Sequence, residues 1–345
     1  MSDVEPLSER ERRVLEAVIE TYIATAEPAG SQTVARRSGL GISPASIRTA
    51  MVELEAKGFL FHPHTSAGRI PTDAAYRLYV DTLVRHTPPG AQIREQLAVE
   101  LAAAASASEE LLRRAAQVLG ILTQELGVAV APALEEIILD RLDLVPVSSE
   151  RLLLVFNLRS GAVRTIYVRL PGSFSRDHLE DVQRLLNERL GGLTLREIRG
   201  TLAERMRDAG SVTDVTDLLD IILAEGDALF DLQDTRDPVM LGSASVLVEQ
   251  PEFASNERMR SLLSLTERRD VLREALAQRK QAGLTVTIGG EHGEPGLAGF
   301  TLVTSTYRRG SATGVIGVLG PTRMPYDKII GLVEHTGRLV EGLIQ

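Results

Sequence analysis

Residues 58–72 read GFLFHPHTSAGRIPT. Three apolar residues, Phe59 to Phe61, run into two histidines flanking a proline. A Thr65-Ser66-Ala67-Gly68 turn, the arginine Arg69 and a second proline follow. Residues 59–61 and 69–70 fit two short strands around that turn, and Thr72-Asp73 is a helix start. The stretch therefore reads as a hairpin, and the question is whether it holds a metal, performs chemistry or reaches out to a partner. His62 and His64 lie two apart on a strand and face one side. Zinc takes three or four ligands, and no further His, Cys or carboxylate pattern supplies them. No metal is expected.

The residues before the hairpin decide between the other readings. Ser8 opens SERE, a capping box with Glu11. Leu15, Val18, Ile19, Tyr22 and Ile23 then repeat at helical spacing, and Pro28 and Gly30 close the segment. Ser31 starts a short helix that Gly39 stops. Ser43-Pro44 starts a third, a cap followed by proline at the first helical position. Ile47, Ala50, Met51 and Leu54 form its buried stripe. A short glycine-containing joint between the second and third helices is the helix-turn-helix pattern. The other face of the third helix carries Ser43 and Ala45 at its tip, then Ser46, Arg48 and Thr49. Such side chains enter a major groove and bond base edges and phosphates. A helix-turn-helix followed by a hairpin is a winged helix. The hairpin tip is expected to hold His64, Thr65, Ser66, Gly68 and Arg69, each able to donate to a phosphate, with the arginine suited to a minor groove.

Charge agrees locally. The chain of 345 residues carries a formal net charge of −9, which excludes a generally basic surface. Within residues 31–72, however, Arg36, Arg37, Arg48, Lys57 and Arg69 face only Glu53 and Glu55, a local excess of three positive charges. The chain has no cysteine, so disulfides and thiolate chemistry are excluded. The charged start MSDVEPLSERERR resembles no signal segment, and no apolar run is long enough to span a membrane. A cytoplasmic protein is expected.

Downstream, Thr72-Asp73 caps a helix reaching Leu83, and TPPG at 87–90 reads as a hinge. Residues 91–126 read as two helices, the second starting at a Ser106–Glu109 capping box. VAVAP, ILDRLDLVPV, RLLLVFNL and VRTIYVRL read as strands up to residue 170. Residues 176–233 read as three helices. ASVLVEQPEF at 244–253 reads as a strand, 257–281 as one helix, then strands at 284–288, 300–307 and 313–319 and a last helix from about 326. Strands, a helical block and strands again give an α+β class.

The stretches GSQTVAR (30–36) and ISPASIRTAMVELEAKGFLFHPHTSAGRIPT (42–72) resemble the N-terminal domain of the heat-inducible transcription repressor family HrcA. PHTSAGRIPTDAAYRLYVD (63–81) is close to a signature of that family, and FTLVTSTYRRG (300–310) and TGVIGVLGPTRMPYDKII (313–330) are similar to its C-terminal part. One departure is Phe300-Thr301, where members often carry a cysteine; the position reads as buried. The resemblance implies a winged-helix DNA-binding domain at 1–87. It further implies a GAF-like domain at 91–170 and 241–345, interrupted by an inserted, mainly helical dimerisation domain at 171–240. It implies a homodimer that binds an inverted-repeat operator in double-stranded DNA upstream of chaperone operons, and that the GroEL chaperonin assists to its active state. Leu179, Val182, Leu185 and Leu186 repeat at helical spacing and are the expected dimer contacts.

Two rivals remain. The C-terminal glycines Gly314, Gly317 and Gly320 would suit a phosphate loop of an enzyme, but no Gly-Lys-Ser/Thr or G-x-G-x-x-G accompanies them, so strand-packing glycines are expected, and neither catalytic residues nor a cofactor. The other rival is a winged-helix regulator whose GAF-like domain senses a small ligand.

Overall fold

A computed structural model describes residues 6–63, 68–83, 87–105, 108–132, 136–159, 161, 163–172, 174–207, 218, 221, 239–279, 283–310 and 312–344. The chain divides into two units. The first comprises 1–129, 240–306 and 316–340, and the second 130–239, 307–315 and 341–345.

In the first unit, helices α1 (Glu9–Thr25), α2 (Ser31–Ser38) and α3 (Pro44–Ala56) precede strands β1 (Leu60–Phe61) and β2 (Ile70–Pro71). The Ser8–Glu11 capping box forms as the sequence requires. α1 ends earlier than Pro28, with Ala26 in the left-handed region at φ 55°, because Glu27 precedes proline and is pushed out of the helical region. Gly30, not Ser31, occupies the N-cap of α2. The two strands pair antiparallel, Leu60 with Pro71 and Phe61 with Ile70. Arg69 extends this pairing to the α1–α2 link: its amide donates to the Ala29 carbonyl at 3.0 Å and its carbonyl accepts from the Ala29 amide at 2.8 Å. Gly68 is required there, since a Cβ would lie 2.4 Å from the Pro28 carbonyl oxygen.

A helix α4 (Asp73–Leu78), capped by Thr72, passes into a π turn at Tyr79–Leu83. Helices α5 (Ala91–Ala102) and α6 (Ser108–Thr123) follow; the expected capping serine, Ser106, lies outside the described residues. Strand β3 (Leu126–Val130) leads to the second unit. The expected hinge at 87–90 is tied down at its start, where the Thr87 amide donates to the Asp327 carbonyl at 3.4 Å.

The second unit holds strands β4 (Leu139–Ser148), β5 (Arg151–Leu158) and β6 (Val163–Arg169) in an antiparallel sheet of that order, then helices α7 (Arg176–Leu190) and α8 (Leu195–Met206). Leu142, Leu144, Leu152, Leu154, Phe156 and Val168 from one sheet face share a core with Leu179, Val182, Leu186, Leu190, Ile198 and Leu202 of the helices. The third expected helix falls mostly outside the described residues. The expected boundary at 171 therefore falls inside this unit. Strands 139–169 bury their apolar face against the helices that follow them, on both sides of residue 171.

Back in the first unit, strand β7 (Val239–Leu241) stands beside β3. The expected strand at 244–253 is instead a helical turn, Ser245–Val248, and a 3₁₀ turn, Pro251–Phe253. Of its apolar residues Leu247 and Phe253 are buried and Val248 is 47% exposed, so the segment lacks the alternation that a half-buried strand needs. The expected helix 257–281 is two, α9 (Asn256–Glu267) and α10 (Arg269–Ala277), broken where Arg268 leaves the helical region at ψ 65°. Strands β8 (Thr285–Ile288), β9 (Phe300–Arg309) and β10 (Ala312–Pro321) complete a five-stranded sheet of order β7-β3-β10-β9-β8, and α11 (Tyr326–Leu343) closes the fold. Gly317 lets β10 lie against β9, since a Cβ there would reach 2.1 Å from the Val303 carbonyl oxygen. That is the strand-packing role, not a phosphate loop.

Within the first unit the helix triplet is bolted to the sheet region. Arg77 on α4 forks onto Glu291, with contacts of 2.8 and 2.5 Å, and donates to the Val286 carbonyl at 2.6 Å. The Gly290 amide donates to Asp73 at 3.0 Å. Arg323 pairs with Glu252 and donates to the Ile23 carbonyl at 2.6 Å. Tyr326 packs between these parts, its ring centroid 5.8 Å from Tyr76 and 6.5 Å from Tyr79.

Candidate nucleic-acid interface

The third helix starts where Ser43 accepts a hydrogen bond from the Ser46 amide at 3.1 Å, with Pro44 in the first turn. Ile47, Ala50, Met51 and Leu54 are fully or almost fully buried. Burying one stripe on α1 and α2 fixes the rotation of the helix and commits the opposite stripe to solvent. On that stripe Ala45, Arg48 and Thr49 are exposed, as is Ser43 at the tip, and Ser46 is half-buried. No carboxylate among the described residues pairs with Arg48. The structure thus brings together all five expected residues of this helix. Two more join them. Val52 is 51% exposed one further turn along, seven residues after Ala45, and its methyls suit a thymine methyl. Arg10 on α1 donates to the Ser46 carbonyl at 2.5 Å, adding a cation at the start of α3. Val52 was findable from its helical spacing; Arg10, a long-range neighbour, was not.

The hairpin residues fare differently. His64, Thr65 and Ser66 lie outside the described residues. Arg69 does not sit at the tip. Its side chain is 12% exposed and pairs with Glu55 of α3, Nε at 2.9 Å and Nη2 at 2.7 Å. Backbone pairing to Ala29 holds Arg69 at the hairpin base, within reach of α3, and a buried guanidinium there takes a carboxylate in place of a phosphate. His62 lies 3.8 Å from the same Glu55. Lys57 is also occupied, 2.7 Å from Glu11. Of the five basic residues that made residues 31–72 positive, two neutralise carboxylates, and Arg36, Arg37 and Arg48 remain exposed.

The Lys57–Glu11 pair makes the helix triplet acid-sensitive. The Lys57 ammonium, then the Ser8 amide, hold the Glu11 carboxyl at about 2, below its ordinary 4.5. A depressed folded value stabilises above the unfolded one. The contribution is therefore complete above about pH 4.5 and drains away as pH falls toward 2. Lys57→Ala is expected to cost about 1.5–3 kcal/mol near neutrality. Denaturant titrations from pH 6 downward should show this penalty shrinking in acid; a penalty independent of pH would refute the assignment.

Residues 109–330 match the family described as the HrcA protein C terminal domain. A heat-inducible transcription repressor HrcA of Chlorobium phaeobacteroides (strain BS1) is 37% identical over 342 residues, covering 95% of this chain and 96% of that one. Its counterpart in Geobacter sulfurreducens is 36% identical over 343 residues, covering 98% of each. A solved structure described as a hypothetical protein shares the fold, with a TM-score of 0.60 at 24% identity over 98% of this chain and 99% of that one. Similarity of this extent, running through both the helix triplet and the sheet region, places the chain in the HrcA family of heat-inducible transcription repressors.

Proposed function

We propose that the chain represses chaperone operons by binding an inverted-repeat operator as a homodimer. In this reading residues 8–72 form a winged helix. α3 lies in the major groove, with Ser43, Ala45, Ser46, Arg48, Thr49 and Val52 toward the DNA, and the hairpin segment His64–Ser66 reaches the flanking backbone. The observation that carries it is the rigidly oriented, solvent-facing stripe of α3, whose central cation pairs with no carboxylate among the described residues. The five-stranded sheet with its helices is the GAF-like domain, and the unit inserted from residue 130 supplies dimerisation.

The dimer surface proposed for that unit is not the expected one. Leu179, Val182 and Leu186 are buried in the unit's own core, and Leu185 packs partly against it. The opposite sheet face remains. There Val145, Leu153 and Tyr167 form one cross-strand row, with Val145 42% and Tyr167 65% exposed. The β4 edge is unavailable for strand pairing, because α7 covers it. Asn187 and Gln183 accept from the Leu142 and Leu144 amides, each at 2.8 Å, which blunts the edge. An outward row of apolar side chains is a site for a second copy.

Assistance by the GroEL chaperonin belongs to the same proposal. Its support is a fold in which distant segments pair late: Val239–Leu241 joins β3 only after the inserted unit has been made. The test is a gel-shift titration on inverted-repeat DNA after brief heating, with and without chaperonin. Chaperonin is expected to restore the binding-competent fraction. Equal fractions in both arms would remove the chaperonin from the scheme, and absence of binding in unheated protein would overturn repression itself.

A further inference from the structure

A cavity of about 480 Å³ in the first unit is walled on one side by the helix triplet and hairpin and on the other by the sheet region. Tyr76 lies on its floor, 1% exposed, and its hydroxyl is buried without a hydrogen-bond partner. Such a group carries an uncompensated desolvation cost and calls for an explanation. Tyr22, Glu252 and Arg323 line the same cavity as Tyr76. The neighbouring Tyr326 differs: its hydroxyl donates to the Thr322 carbonyl at 2.7 Å and meets Thr301 at 3.1 Å.

The walls are aromatic. Phe253 and Phe300 stack with centroids 5.9 Å apart and planes inclined by 24°, and Phe61 stands 44% exposed at the edge. The charges are mostly spent. Glu252 is forked by Arg323, and Asp73 accepts from the Gly290 amide. Arg258 is the exception: no carboxylate among the described residues pairs with it. Its guanidinium lies against Gly299, where a Cβ would come within 2.4 Å of Nη1. Arg258 also lines an adjoining cavity of about 370 Å³, together with Arg260 and Arg268 and with no carboxylate in its wall.

Aromatic walls, one unneutralised cation at the rim and one unpaired hydroxyl at the floor define complementary chemistry. Pockets of this size hold small organic ligands by apolar area and orient them by a few polar groups. We infer that this cavity binds a small aromatic acid, its ring along Phe253 and Phe300, its anionic group on Arg258 and a polar ring substituent on the Tyr76 hydroxyl. Because Tyr22, Phe61 and Tyr76 come from the helix triplet and its flanking elements while Phe253, Arg258 and Phe300 come from the sheet region, an occupant contacts both parts. Any difference it makes to their packing is felt reciprocally at α3.

The test uses the full chain, with isothermal titration and thermal melting against 4-hydroxybenzoate, phenyl phosphate and inorganic phosphate. Both aromatic anions are expected to bind and raise the melting temperature, and inorganic phosphate to leave it unchanged. Arg258→Ala should weaken both aromatic ligands at least tenfold. Tyr76→Phe should weaken 4-hydroxybenzoate severalfold without lowering the melting temperature of the free protein, since it removes a hydroxyl that bonds nothing. The proposal is overturned if neither aromatic anion binds, if Arg258→Ala binds them like the parent, or if inorganic phosphate alone gives the same response, which would reduce the site to an arginine surface. These readouts contain no DNA, so their failure is distinct from a failure of repression.

Discussion

Arg48→Ala is expected to bind a single operator half-site roughly ten- to one-hundred-fold more weakly than the parent, which is the loss of about 1–3 kcal/mol assigned to one bidentate base contact, and to lose that contact twice on the full inverted repeat. Three observations set this figure. Arg48 is exposed, its side chain pairs with no carboxylate among the described residues, and the stripe it belongs to is fixed by the burial of Ile47, Ala50, Met51 and Leu54 behind it. For the same reasons the variant should melt within about 0.5 kcal/mol of the parent, as surface substitutions do. The signature of a base contact is relaxed preference at one base pair of each half-site. Arg69→Ala is the contrasting case. Its guanidinium is forked on Glu55, so removing it leaves a carboxylate unpaired and loosens the hairpin. The slope of log affinity on log salt should then stay unchanged, where a lost phosphate contact would flatten it by about one unit. Anisotropy titrations of both variants at several salt concentrations separate the two roles. Parent-like affinity and specificity in Arg48→Ala would remove α3 from the interface.

Why α3 was legible and the hairpin charges were not follows from the range of the interactions involved. Ser43-Pro44, the capping box at Ser8 and the apolar spacing of α1 and α3 are local signals, and the structure forms each where the sequence places it. Which cations remain free is decided by partners far along the chain. Lys57 meets Glu11 and Arg69 meets Glu55 only once the triplet has folded, so a count of charges between residues 31 and 72 overstates the positive surface. The segment 244–253 misleads differently. Its valines and leucine have strand propensity, yet of these and its other apolar residues only Leu247 and Phe253 find a core, and a half-buried surface is what that propensity measures. Leu179, Val182 and Leu186 show the limit of periodicity itself: an apolar stripe reports that a helix buries one face, and is silent on whether the cover is its own sheet or another chain.

That ambiguity makes the dimer the most consequential test. Tyr167→Asp is expected to yield a monomer whose affinity for an intact inverted repeat falls by about 10²–10⁴, because the second half-site is then bound from solution and no longer at the effective concentration that a tethered partner provides. Tyr167 lies on β6 opposite Leu153, which in turn faces Val145, so a carboxylate there places a charge at the edge of the apolar row that a two-fold partner would have to bury. With 65% of Tyr167 already exposed, the monomer itself has little to lose, and its helical signal and melting should stay near those of the parent. A second variant probes the helical stripe directly: Leu186→Ala, 1% exposed in the unit's core, should cost about 2–5 kcal/mol of stability while the surviving folded fraction still sediments as a dimer. Sedimentation and operator titration of both variants decide between the sheet face and the helical stripe. A dimeric Tyr167→Asp with parent-like affinity would return the interface to other surfaces of the chain, whereas monomers from Tyr167→Asp alone would fix it on the face that β4, β5 and β6 turn away from their helices.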